Sequence, residues 1–99
     1  MIRIFRAPEF IDWFDQQTEK SKVQIDERLS KIQDEQYFGD HKYVGSVHAD
    51  VWELRWKNGR RVYYAYLPES SVFILLGGIK NAQSKDIARA KRLFKNYIE

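Results

Sequence analysis

The run from Val51 to Lys80, VWELRWKNGRRVYYAYLPESSVFILLGGIK, limits what this chain can fold into more than any other stretch. Trp52, Leu54 and Trp56 alternate with Glu53, Arg55 and Lys57, a period of two that predicts a strand with one buried and one wet face. Arg61 to Leu67 is rich in Val and Tyr, as strands prefer. Val72 to Ile79 is a nearly continuous apolar run that fits a central strand. Three consecutive strands follow.

The turn at Asn58-Gly59 decides which side chains meet. A two-residue type I′ turn would set Arg55 against Val62 and mix polar with apolar positions. A three-residue loop, Lys57-Asn58-Gly59 with Gly59 left-handed, pairs Arg55 with Arg61, Glu53 with Tyr63, Leu54 with Val62 and Trp52 with Tyr64. A one-residue slip would flip a whole strand, so burial selects the second register. It sets two arginines face to face on the wet side, beside Glu53, Tyr63 and Arg60 or Lys57. Opposed like charges destabilise a sheet. Either both arginines splay into water or an anion sits between them, and phosphate matches arginine's planar fork.

The rest of the chain supplies a cover for that sheet. Ile2 to Arg6 reads as a short first strand, and Pro8 opens a helix over roughly 8–19 with Phe10, Ile11, Trp13 and Phe14 as its apolar stripe. Ser21 and Gln24 resemble a capping box for a second helix over roughly 22–36, burying Ile25, Leu29 and Ile32. Residues 37–50 read as a loop. A final helix spans Ala82 to Ile98, with Ser84 as N-cap and Ile87, Ala90, Phe94 and Tyr97 on its apolar face. The order β-α-α-β-β-β-α predicts one α+β domain over residues 1–99, with a mostly antiparallel, twisted sheet covered on one face by helices.

Composition narrows the function. Residues 1–40 carry a net charge of −3 and residues 41–99 a net of +6. A segregated basic half is the electrostatic footprint of a nucleic-acid binder. Lys85, Arg89 and Arg92 would extend it along the last helix. There is no cysteine, so no disulfide framework or zinc-thiolate site. No apolar run is long enough to span a membrane, and the first residues show no signal-peptide core, so a cytoplasmic location is expected. His41 and His48 match no metal-binding spacing with Asp40 and Asp50. His48 precedes the strand carrying Glu53 and Arg55, which makes it the better candidate for acid–base work.

WELR (52–55), a glycine turn, RVYYAY (61–66) and ILLGGIKNAQSKDIARA (74–90) together resemble the RelE/ParE toxin superfamily, most of all its HigB-like branch of phage-related addiction module killer proteins. The resemblance runs from about Lys42 to Leu93 and implies the RelE-like fold. It implies a toxin partnered by an antitoxin, a helix-turn-helix protein encoded alongside, and an endoribonuclease cutting mRNA on the ribosome without metal or other cofactor. Carried over by position, Arg61, Arg55 and Lys80 match the basic residues of such sites, and Glu53 a polar position beside them. Relatives of the RelE type stack a C-terminal tyrosine on the RNA base. Here that segment reads Ser84-Lys85-Asp86, which leaves an aromatic such as Tyr63 for the role.

Cleavage by 2′-hydroxyl attack needs a proton acceptor, cations for the phosphorane and a donor for the leaving oxygen. That gives Glu53 the base role with His48 as rival, Arg55 and Arg61 the phosphorane, and Lys80 the charge or leaving group. Lys57, Arg60, Tyr63, Lys85, Arg89 and Arg92 would bind RNA. Two alternatives stay open: a ParE-like poison of DNA gyrase without nuclease chemistry, and a non-enzymatic RNA-binding module.

Overall fold

The computed structural model describes residues 1–98. The chain forms β1 (Arg3–Arg6), α1 (Pro8–Asp15), α2 (Glu19–Glu35), β2 (His41–Tyr43), β3 (Trp52–Arg55), β4 (Arg60–Leu67), β5 (Ser71–Ile79), a 3-10 turn (Lys80–Ala82) and α3 (Gln83–Ile98). The sheet order is β1-β5-β4-β3-β2, with β1 parallel to β5 and every other pair antiparallel.

The β3–β4 hairpin has the register that burial demanded. Trp52 pairs with Tyr64, Glu53 with Tyr63, Leu54 with Val62 and Arg55 with Arg61. Gly59 holds φ +95°, a conformation open to glycine at little cost, and its N–H donates to the Trp56 carbonyl (3.1 Å). A bulge between Tyr63 and Tyr64 leaves Leu75 without a cross-strand partner on β4. Leu75 and Leu76 therefore both enter the α3 core, and Gly77 turns toward α1. The Trp13 ring lies where a Gly77 side chain would be.

Helices cover both faces, not one. Phe10, Ile25, Leu29 and Ile32 from α1 and α2 pack on Leu54, Val62, Tyr64, Val72 and Ile74. Ala90 and Leu93 of α3 pack on the opposite side with Tyr63, Ala65, Leu75 and Leu76. β5 is apolar on both sides because both its sides are covered.

Several local features differ from the sequence reading. α1 ends at Asp15, and α2 begins at Glu19 with Thr18 as its cap, whose hydroxyl accepts from the Ser21 N–H (3.2 Å). Ser21 thus lies inside the first turn of α2. Residues 37–50 are not a plain loop. β2 pairs with β3, and the arm continues through the Val44–Val51 and Ser46–Ala49 backbone bonds to a turn at Val47-His48. In α3 it is Leu93, not Tyr97, that is buried; Tyr97 is exposed, and its hydroxyl donates to Glu9 (2.9 Å). Ser84 lies inside that helix, not at its cap.

Candidate active site

The face of β3 and β4 that alternation marked as wet is buried. Glu53 and Tyr63 are fully enclosed and Arg61 is 6% exposed, because the first turns of α3 lie over them. Polar side chains are buried here against one another. The Glu53 carboxylate sits between the two arginines that the register opposes: Oε1 is 3.6 Å from Arg55 Nε and Oε2 is 3.8 Å from Arg61 Nε. Gln83 Nε2 donates to Glu53 Oε2 (2.8 Å) from the first residue of α3. The anion that two facing arginines require is thus the protein's own.

Each member is held from behind. Arg61 Nη1 donates to the Trp56 (3.3 Å) and Arg60 (3.0 Å) carbonyls, which fixes the guanidinium against the hairpin. The Arg55 carbonyl accepts from Arg28 Nη1 (3.0 Å), and Arg28 also donates to the Phe38 (2.9 Å) and Asp40 (2.6 Å) carbonyls while its guanidinium lies 4.6 Å over Trp56. Burial lowers the Arg28 pKa from its ordinary range, and Asp40 partly opposes that shift. Lys42 is the register partner of Glu53 on β2, so it shares this face as a further cation. Gly78 pairs with Arg61, and the Asp86 carboxylate fills the space a side chain at Gly78 would need. Burial raises the Asp86 pKa, opposed by Arg89 and Lys85. Burial also pushes the Tyr63 hydroxyl well above its ordinary range, helped by Glu53 and Asp86 and opposed by Arg61.

Glu53, Arg55 and Arg61 are therefore brought together as expected, and the others are dispersed. Lys80 is exposed two residues beyond Gly78; its N–H donates to the Gly59 carbonyl (2.8 Å) and its stem runs along the hairpin turn. Lys57 is exposed in that turn. Arg60 does not share the site, because alternation along β4 sends it to the opposite face. There it is 6% exposed, donates Nη2 to Ser21 Oγ (3.0 Å) and Gln24 Oε1 (3.1 Å), and its guanidinium lies 5.4 Å over Trp56. Tyr63 is fully buried and cannot stack on a base in this conformation. His48 is exposed at the tip of the β2–β3 arm, five residues before Glu53. Lys85, Arg89 and Arg92 are exposed along α3. Among the described residues no three His, Asp or Glu side chains converge as a metal site.

Gln83, Arg28 and Lys42 were not singled out by sequence. Arg28 had a visible signal: it is three residues after Ile25 and four before Ile32, on the buried stripe of α2. Gln83 and Lys42 had none, since their importance comes from register and helix placement.

Residues 12–95 match the model of the phage-derived Gp49-like protein family. The chain belongs to that family. An uncharacterized protein of Haemophilus influenzae is 36% identical over 76 residues, which cover 75% of this chain and 73% of that protein. Among solved structures, this Gp49-like chain matches RelE in the E. coli RelBE toxin–antitoxin complex with TM-score 0.66 at 15% identity, over 80% of this chain and 96% of that one. It matches E. coli RelE in the free state, as a double arginine-to-alanine mutant, with TM-score 0.66 at 15% identity, over 98% of both chains. A RelE–RelB complex from Pyrococcus horikoshii gives TM-score 0.64 at 14% identity, over 80% of this chain and 94% of that one. The Gp49-like chain thus has the fold of the RelE toxins.

Proposed function

We propose that this protein is the toxin of a type II toxin–antitoxin module and cleaves mRNA on the ribosome. The observation that carries the reading is the arginine pair Arg55 and Arg61 held around Glu53, on a sheet with the RelE fold. Two fixed guanidinium groups on adjacent strands suit the charge that develops on a phosphorane.

In the proposed reaction the RNA 2′-oxygen attacks the adjacent phosphorus as its proton passes to the Glu53 carboxylate, and the bond to the 5′-oxygen breaks as that oxygen takes a proton from Lys80. The products are a 2′,3′-cyclic phosphate and a 5′-hydroxyl. Arg55, with 36% of its side chain exposed, meets the phosphate first, and Arg61 follows once Gln83 releases Glu53. Glu53 serves as the group that orients both arginines, because its two oxygens already face Arg55, Arg61 and Gln83. His48, at the tip of the β2–β3 arm, makes no contact with this cluster among the described residues; Lys80, exposed beside the hairpin turn, is the proposed donor to the leaving oxygen. The partner is an antitoxin, and the proposed compartment is the cytoplasm.

Primer extension on a reporter mRNA in a translating extract tests this. The reading predicts cuts that appear only on ribosome-engaged message. Cuts on naked RNA as well would remove the ribosome from the mechanism. No cuts, with trapped gyrase cleavage complexes, would replace the reading by a ParE-like one; duplex-RNA binding without cleavage would replace it by an RNA-binding module.

A further inference from the structure

Trp52 faces away from Glu53, because neighbouring residues of a strand point to opposite sides. On that side α1 and α2 cover Leu54 and Val62, and Tyr64 is buried with Phe38 stacked on it (5.5 Å between ring centres). Beyond Phe38 the covering stops. Tyr43 is 42% and Tyr66 46% exposed, His41 is exposed, and Trp52 and Phe38 are half-buried. These rings form a row across three strands. Tyr43 of β2 lies 5.3 Å from Trp52 of β3, which lies 5.6 Å from Tyr66 of β4. The two pairs are steeply inclined, at 71° and 77°, so the row is ridged rather than flat. His41 adjoins Trp52, and Phe38 adjoins Tyr66, each at 5.6 Å. At the β2 end the Tyr43 hydroxyl donates to Asp50 Oδ1 (2.9 Å), an exposed carboxylate. Arg28, the cation behind Phe38, is committed to three backbone carbonyls.

We propose that this aromatic row docks a proline-rich segment of a partner protein, in the polyproline II conformation, with an arginine at the β2 end. Two residues of polyproline II rise about 6 Å, close to the ring spacing, so successive dipeptides fall into successive gaps of the row. Proline brings apolar surface with little conformational entropy left to lose, and aromatic-lined surfaces recognise it for that reason. Asp50 supplies the counter-charge for the arginine. Single-stranded RNA would need cations beside the rings, whereas the charged group bonded to this row is a carboxylate. The inference concerns the face opposite Glu53 and does not rest on the nuclease reading.

The test uses the full chain, isotope-labelled for NMR, and three blocked peptides: Arg followed by six Pro, Glu followed by six Pro, and Arg followed by six Gly. The Arg-Pro peptide should shift the Trp52 indole N–H and the amides of Tyr43 and Tyr66. The Arg-Gly peptide keeps the charge but loses the rings and the preformed extension, and should bind at least tenfold more weakly. Glu in place of Arg should weaken binding about fivefold, the scale of one exposed ion pair, and Asp50→Asn should bring the two proline peptides within twofold of each other. Tyr66→Ser should weaken the Arg-Pro peptide at least fivefold, with circular dichroism confirming the fold, while Tyr66→Phe, which keeps the ring, should bind as the parent does. Equal binding of the Arg-Gly peptide, equal binding by Tyr66→Ser, an Arg preference that survives Asp50→Asn, shifts confined to other surfaces, or no binding at millimolar peptide would each overturn the proposal. Tighter binding of an oligouridine at these rings, or their burial against a second copy of the chain, seen by sedimentation without peptide, would overturn it as well.

Discussion

Arg60 and Arg61 are neighbours in sequence, equally buried, and on opposite faces of the sheet. Arg60 is surrounded by neutral partners: a hydroxyl, an amide and the Trp56 ring. Burial alone sets its pKa, and it lowers it. Arg61 faces a carboxylate 3.8 Å away, across a cluster that includes a second arginine and Gln83. The first arrangement joins α2 to the hairpin and needs no ligand. The second holds two cations about one anion, the geometry in which an incoming phosphate can replace an internal partner. Alternation along one strand therefore separates an anchoring arginine from the one proposed to meet phosphate.

Removing the anion should break this comparison most severely. Glu53→Ala leaves Arg55 and Arg61 opposed with nothing between them, and should lower unfolding free energy by about 3–5 kcal/mol in urea titrations. In that background Arg61→Met should recover part of the loss, since it removes the uncompensated charge. A purely additive double mutant would show that the two groups do not interact. Gln83→Ala removes one hydrogen bond to a charged acceptor and should cost about 1.5–3 kcal/mol, while raising the hydrogen-exchange rate of the first turn of α3. Arg60→Met should stay within about 1 kcal/mol of the parent, because it relieves a buried cation with no counter-charge and leaves Ser21 and Gln24, both half-exposed, to water.

The smallest effect concerns Asp86. Burial raises its carboxyl pKa above the ordinary 3.8, so the folded chain holds this proton more tightly than the unfolded one. Its contribution is most favourable below pH 3.8 and is lost as pH rises through the folded-state value. Asp86→Asn should therefore gain on the parent between pH 3 and pH 7, read as a widening difference in urea midpoints. A gap that narrows toward neutral pH would reverse the sign.

The hairpin register was legible because a slip would have set Val62 and Tyr64 against Arg55 and Glu53. The trio Glu53, Arg55 and Arg61 followed from that register together with the family resemblance. The burial of that trio was not legible. Charged residues at period two look solvent-facing, and the helix that covers them begins thirty residues after Glu53. β2 was missed because His41, Lys42 and Tyr43 are all exposed on an edge strand and leave no alternation to read. Thr18 was missed as the cap because Ser21 and Gln24 fit a capping box on sequence grounds, and only the hydrogen bond from the Ser21 N–H to the Thr18 hydroxyl decides. Arg60 was misplaced because the loop reading left it adjoining the turn, when it is already the first residue of β4.

The most direct test of the account compares Arg61→Met with Arg60→Met in ribosome-programmed cleavage, by primer extension at matched concentrations of folded protein. The account predicts that Arg61→Met lowers cleavage by about a hundredfold or more, the scale of losing one preorganised transition-state contact, and that Arg60→Met cleaves as the parent does. Undiminished cleavage by Arg61→Met, or equal losses in both variants, would contradict it.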